Sequence, residues 1–239
     1  MRKHNRTLRC ILVCLLSAIF FVSLTGCGKK EEPKDENKTP TFETIVLGHF
    51  EQDNDPSNGP EAIVWIVLEK REDGSELLLS KDALFASEYS TGKGVTSWET
   101  CAPRKWLNEV FYYEAFSAYE QEKILTSKVV DEWYRYTDTV QGNDTEDKVY
   151  LLSYNEILSF FNNDALRSLT PSQFAIANGA TESSAAKENS LNRYSWWVRN
   201  PAAEVPGGMA ILINDRSITQ VMQLFTQADC IRPVILYKP

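Results

Sequence analysis

Histidine is almost missing from this chain of 239 residues, which has only His4 and His49. A zinc enzyme holding its metal through two or three imidazoles is therefore excluded, and neither CxxC nor HExxH occurs. Ser-His-Asp catalysis would have to use His49, which lies inside a predicted strand, and no GxSxG elbow accompanies it. No glycine-rich phosphate loop is present. Positive charge is also scarce: 25 Lys and Arg stand against 33 Asp and Glu, a net charge of −8. Four of the basic residues, Arg2, Lys3, Arg6 and Arg9, precede residue 27 with no acid among them, so the rest of the chain stands at −12. A body that acidic repels phosphate backbones, and no basic patch suited to nucleic acid is found. No apolar run reaches the ~20 residues that span a bilayer. What remains, with 43% hydrophobic, 24% charged and 11% aromatic residues, is the composition of a folded protein and not of a disordered one.

The ends of the chain differ in kind. Met1 to Arg9 is a basic leader, followed by an apolar run of 14 residues from Ile11 to Leu24. That length suits a secretory signal better than a membrane span. The run closes on Leu24-Thr25-Gly26-Cys27, which resembles the bacterial lipobox, with Gly28 next. The resemblance implies cleavage after residue 26 and lipidation of Cys27, the alternative being an uncleaved signal anchor. Two acyl chains at ~0.8 kcal/mol per buried CH₂ would hold the protein on the outer face of the cell membrane. Residues 27–41 then form a lipidated, charged tether, since Gly28 to Pro40 (GKKEEPKDENKTP) has no large apolar residue to bury. Residues 42–239 form the folded part.

Five cysteines are present. Cys10 and Cys14 leave with the leader and Cys27 takes the lipid, so Cys101 and Cys230 remain. In an exported domain they form either a disulfide, worth ~4–5 kcal/mol for so long a loop, or two buried reduced thiols.

Hydrophobic patterning places strands at both ends and helices between. Thr44 to Phe50 alternates and reads as a strand, and Ala62 to Glu69 (AIVWIVLE) reads as a strand buried on both faces. Asp73-Gly74 predicts a type I′ hairpin into Glu76 to Leu79, and the acidic stretch Asp53 to Glu61 predicts a loop. Pro103 to Val110 predicts a helix with Trp106 and Val110 on one face. Ser117-x-x-Glu120 and Ser153-x-x-Glu156 are capping boxes opening two more helices, the second after a strand at Val149 to Leu152. Thr170-Pro171 predicts the start of a fourth helix, ended by Gly179. Residues 180–193 predict a surface loop. Strands follow at Ser195 to Arg199, Met209 to Ile213 and Ile231 to Tyr237, with a turn at Asn214-Asp215. The order strands, helices, strands predicts a single α+β domain.

These stretches, in this order, resemble a bacterial domain of unknown function, the DUF6273 family, common in surface and secreted proteins of Gram-positive bacteria. They are Ile45 to Phe50, Ile63 to Leu68, Leu77 to Lys81, Arg104 to Asn108, Ala115 to Ser117, Val149 to Ser153, Trp196 to Pro201 and Ile231 to Val234. Asn200 stands where the family more often has Ser, and Asp229-Cys230 where it favours glycine. The resemblance implies a C-type-lectin-like fold in which the first and last strands pair, and no activity. Formylglycine-type oxidation, found among relatives of that fold, needs a cysteine spacing that Cys101 and Cys230 do not match.

The most informative cluster is Trp196-Trp197-Val198-Arg199-Asn200. Alternation puts Trp197 and Arg199 on one face of a strand. If Trp196 fills the core, Trp197, Arg199 and Asn200 are left as an aromatic platform with a hydrogen-bonding fork, a candidate site for a sugar or peptide. The alternative is that both tryptophans are core and Arg199 pairs with an acid. Arg232 is expected to be structural, and Trp133, Tyr134 and Tyr136 form either a second patch or packing under a loop. Asp53-x-Asp55-x-Ser57 opens like an EF-hand, but Asn58 and Val64 stand where Gly and Glu are needed, so no metal or other cofactor is expected. Ile213-Asn214-Asp215 is only a weak echo of a sugar-binding lectin signature. The reading is a lipid-anchored, non-catalytic binding module for an envelope glycan or protein partner. The alternative is a cell-wall-modifying or glycan hydrolase using acidic residues. A solute-binding lipoprotein, usually two lobes, needs more chain.

Overall fold

A computed structural model of the chain describes residues 42–90, 96–132, 142–161, 167–182, 194–201, 207–214, 217–224 and 227–239, with 207–214 and 217–224 described as backbone. The leader, Cys27, the tether and the Trp133, Tyr134 and Tyr136 group lie outside the described residues. No helix among the described residues is long and apolar enough to cross a membrane.

The described residues fall within the compact unit Thr39–Pro239, which combines two main sheets with short helices. Strands β1 (Thr44–Phe50), β2 (Glu61–Lys70) and β3 (Glu76–Ser80) form an antiparallel meander. In β2 the residues Ile63, Trp65 and Val67 are buried while Val64, Ile66 and Leu68 are half-buried, so its two faces are unequal, not equally covered as the sequence implied. The β2–β3 turn also differs from expectation. Arg71 N–H donates to Ser75 O and Gly74 N–H to Arg71 O, with only Gly74 of the turn at positive φ. A type I′ turn needs positive φ at both central residues, so this is instead a three-residue loop closed by Gly74.

Strand β1 is bulged between Val46 and His49. Gly48 sits in the bulge at φ +71, and a Cβ there would lie 2.6 Å from Ala115 O and 2.7 Å from the Phe116 ring. Glycine is required because the helical layer closes down onto this point. That layer runs through α1 (Ala102–Trp106), a π turn (Leu107–Phe111), α2 (Tyr112–Ala115) and α3 (Ala118–Lys123). Leu107 and Phe111 are its core residues, whereas Trp106 is half-buried and Val110 exposed. The sequence pairing of Trp106 with Val110 was thus one position out of register with the core.

β13 (Val234–Tyr237) runs through the middle of the first sheet, with β3 on one side and β8 (Val149–Tyr150) and β5 (Ile124–Leu125) sharing the other. The terminal strand therefore pairs with β3, not with β1, whose partner is β2. The second sheet has the order β11-β10-β9-β12-β4. It comprises β4 (Phe85–Ser87), β9 (Trp196–Pro201), β10 (Gly207–Asn214), β11 (Ser217–Leu224) and β12 (Asp229–Ile231). All its pairs are antiparallel except β9 with β12. A small ribbon pairs β6 (Ser127–Val129) with β7 (Thr145–Asp147).

The segment β3–β4 runs antiparallel to β12–β13 across both sheets. Between the ladders, Ser80 N–H donates to Pro233 O and Leu84 N–H to Ile231 O. At this joint Arg232 is buried, donating from Nε to Ser80 O at 2.8 Å and from Nη2 to Lys81 O at 3.1 Å. Its guanidinium lies 5.2 Å from the Trp196 ring centre, and burial lowers its pKa to about 10. The expected structural role for Arg232 is what its contacts describe.

Both capping boxes form as read, Ser117 with Glu120 and Ser153 with Glu156, the latter opening α4 (Tyr154–Phe160). Helix α3 is shorter than expected because Ile124 and Leu125 are drawn into β5. The last helix, α5 (Gln173–Ala177), is capped by Ser172 and not by Thr170. Pro171 is instead bridged to Ala83.

Candidate functional site

Strand β9 carries the residues singled out in the sequence. Trp196 and Trp197 are both fully buried. The expectation that one of them is an exposed platform is corrected by the surroundings of β9, which is paired on both edges and covered on both faces. Trp196 lies under Arg232 and donates from Nε1 to Arg167 O at 3.3 Å. Trp197 packs against Tyr89, with ring centres 5.2 Å apart, and donates to Ser87 O at 2.8 Å.

Arg199 and Asn200 are also buried, at 5% and 3% exposure. The Arg199 guanidinium reaches the start of α4. Its Nη1 donates to Leu151 O at 3.2 Å and pairs with the Glu156 carboxylate, and its Nη2 pairs with Glu132 Oε1 at 3.1 Å. Glu156 is fixed in turn by the capping box, accepting from Ser153 N–H at 2.7 Å. Asn200 Oδ1 accepts from Tyr154 N–H at 2.7 Å, so both side chains brace the amides and carbonyls that open α4. The structure brings Arg199 together with Glu132 and Glu156, while Trp197 is packed against Tyr89.

This ion-pair cluster forms part of the wall of a cavity of about 380 Å³. Arg71 follows β2, Ser127, Lys128 and Val129 come from β6, and Tyr150 comes from β8. Glu156 of α4, Arg199 of β9 and Leu236 of β13 add to the lining, so the cavity is assembled from distant parts of the chain. Arg199 Nε, buried, has no hydrogen-bond partner among the described residues. Burial raises the Tyr150 phenol to about 12, so its hydroxyl stays protonated and able to donate throughout the physiological range. Arg71 pairs with Glu69 at 3.2 Å and Lys128 with Asp144 at 2.9 Å, both pairs substantially exposed. Such a wall supplies hydrogen-bond donors and acceptors at fixed positions, with Val129 and Leu236 as apolar surface.

Glu132 and Tyr150 were not anticipated from sequence. Glu156 was read only as a capping residue, and nothing local signals its second partner 43 positions away.

Three carboxylates, Glu51, Asp53 and Glu61, lie within 4.8 Å of one another in the loop after β1 and at the start of β2, and could hold a metal ion. Much of their accepting capacity is taken by the loop itself. Glu61 Oε2 accepts from Gln52 and Asp53 amides, Glu51 Oε1 from the Asp55 amide, and Asp53 Oδ2 from Asn58. The Asn58 and Asp55 contacts hold the Asp53 carboxyl below its usual range. Asp55 instead accepts from the Ser57 amide and hydroxyl, so the Asp53-x-Asp55-x-Ser57 spacing folds as a turn.

Cys101 and Cys230 are both free thiols and both buried. Cys230 pairs in register with Trp196 and so shares its face of the second sheet, while Cys101 contacts Tyr89, which packs on Trp197 from the other face. Burial pushes the Cys101 thiol to about 12 and Cys230 higher still. His49 is exposed on the bulge of β1.

Residues 73–239 match the family described as Domain of unknown function (DUF6273), and the chain belongs to that family. The match begins in the β2–β3 turn, so the similar stretches in β1 and β2 lie outside it. Neither the curated proteins nor the solved structures contain a match to this chain.

Proposed function

We propose that this DUF6273 protein is a lipid-anchored, non-catalytic binding module on the outer face of the cell membrane, and that it holds an envelope glycan in the cavity beside Arg199. The cavity carries this reading. A concave polar wall with fixed donors and acceptors suits an array of sugar hydroxyls. The leader, the Leu24-to-Cys27 stretch and the charged tether support the anchored location.

The alternative, a hydrolase, is favoured by two carboxylates, Glu132 and Glu156, on one cavity wall. Both are already committed to Arg199, and Glu156 also to the Ser153 amide. A catalytic acid must release a proton to the leaving group, and carboxylates gripped this way are arranged to accept instead. The C-type-lectin-like architecture belongs to the same proposal. The return of the last strand into the N-terminal sheet supports it, and pairing with β3 instead of β1 departs from it.

The test is a binding screen of the purified protein against peptidoglycan and envelope polysaccharides, with and without calcium, coupled to an assay for newly released reducing ends. Saturable binding without release supports the module. Release that is lost in Glu132→Gln or Glu156→Gln establishes the hydrolase, and binding confined to an envelope protein transfers the role to a protein partner. Lipid anchoring is checked separately, since Cys27→Ser is expected to move the protein from the membrane fraction to the medium.

A further inference from the structure

We infer that the glycan taken by the Arg199 cavity is an acidic one, its carboxylate or phosphate held between Arg71 and Lys128; this rests on the cavity being the binding site. Three observations converge on it. The first is local charge. Of the charged side chains lining the cavity, Arg71, Lys128 and Arg199 are cationic and only Glu132 and Glu156 anionic, in a chain where acids exceed bases by eight. The second is how the two signs are used. Glu156 and Glu132 both face the guanidinium of Arg199, and Glu132 Oε2 also accepts from Asn155 at 3.2 Å, so their charge is spent inside the wall. Among the described residues, Arg71 and Lys128, with side chains 41% and 69% exposed, form ion pairs with the exposed Glu69 and Asp144, and Glu146 adds its charge near Lys128. Exposed pairs contribute little to stability, so either cation can exchange its partner for a ligand anion at little cost.

The third observation is the remaining donors. Arg199 is 5% exposed, and its Nε–H has no acceptor among the described residues. Tyr150, nine-tenths buried on the same wall beside Ser127, keeps its proton and can donate it to an oxygen anion. The wall therefore offers donors to a ligand from Arg71, Lys128 and Tyr150, while both of its carboxylates are already engaged by Arg199. That balance favours an anionic group on the sugar it takes.

The experiment measures binding of the intact protein to three probes by calorimetry: oligogalacturonate, its neutral methyl ester, and a glycerol-phosphate oligomer. The expected result is that at least one anionic probe binds, with the ester about tenfold weaker, a difference of about 1.4 kcal/mol. Arg71→Ala and Lys128→Ala each lower anion affinity about three- to tenfold without moving the thermal midpoint, because both side chains are exposed, and added salt weakens binding further. Binding of the carboxylate alone or of the phosphate alone identifies the source of the anion. Equal, salt-insensitive binding of acid and ester that is unchanged in both variants overturns the acidic-ligand inference and leaves the cavity reading standing. Failure of all three probes and of neutral envelope glycans overturns both.

Discussion

Asp229 offers a sharp thermodynamic test of the second sheet. It is fully buried on β12, opposite Ser87 of β4, with one carboxyl oxygen accepting from the Ser195 hydroxyl and Oδ2 without a partner among the described residues. Burial raises its pKa from 3.8 to about 6, against the lowering effect of the Ser195 hydrogen bond. An acid whose folded pKa lies above its unfolded value favours the folded state when protonated. The stabilisation is present below the unfolded pKa and is lost as pH rises through the folded one. At ~1.4 kcal/mol per unit, the shift corresponds to roughly 3 kcal/mol in full, of which about 2–3 kcal/mol is lost between pH 4 and pH 7. Other acids titrate in the same range, so the measurement compares wild type with Asp229→Ala by urea unfolding at a series of pH values. Whatever fixed cost the substitution carries, the advantage of wild type over the variant should shrink by about 2–3 kcal/mol from pH 4 to pH 7. Parallel stability curves would refute the argument, because they would mean that Asp229 titrates alike in both states and is not desolvated by the fold.

Arg199→Ala should destabilise the protein by about 3–5 kcal/mol in the same assay, since it strands two carboxylates and the buried Leu151 carbonyl, while Arg199→Lys recovers part of the loss. Gly48→Ala places a methyl against Ala115 O and the Phe116 ring at positive φ and should cost about 2–4 kcal/mol, read as a lowered thermal midpoint. A thiol reagent should label neither Cys101 nor Cys230 in the folded state and both after unfolding without reductant; labelling of neither after unfolding would mean a bridge. Neutralising either Arg71 or Lys128 should weaken acidic-glycan binding three- to tenfold at constant stability, as set out above.

The fold was legible wherever it depends on neighbours in sequence. Ser117 with Glu120 and Ser153 with Glu156 are three residues apart, and both capping boxes form. The strands at Thr44, Glu76 and Val234 follow from short runs of bulky residues. Errors arose where distant chain decides. Pro171 looks like the first residue of a helix, yet its bridge to Ala83 delays the helix to Ser172. Trp197 has the alternation of an exposed residue on a one-sided strand, but Tyr89 closes that side from far along the chain. The candidate site suffers most from this limit. Arg199 was found, but its partners Glu132 and Glu156 come from other elements, and no spacing rule links them. The eight-residue strand Ser217–Leu224 was missed altogether, although its full antiparallel register with β10 is a simple hairpin.

The ladder that joins β3–β4 to β12–β13 also gives the two sheets a shared fate. β13 pairs with β3 in the first sheet and β12 lies between β4 and β9 in the second, so one short stretch of chain supplies a strand to each. Loss of residues 229–237 would open both sheets at once, leaving β3 without β13 and cutting β4 off from β9. The two sheets are therefore expected to be lost together and not one at a time.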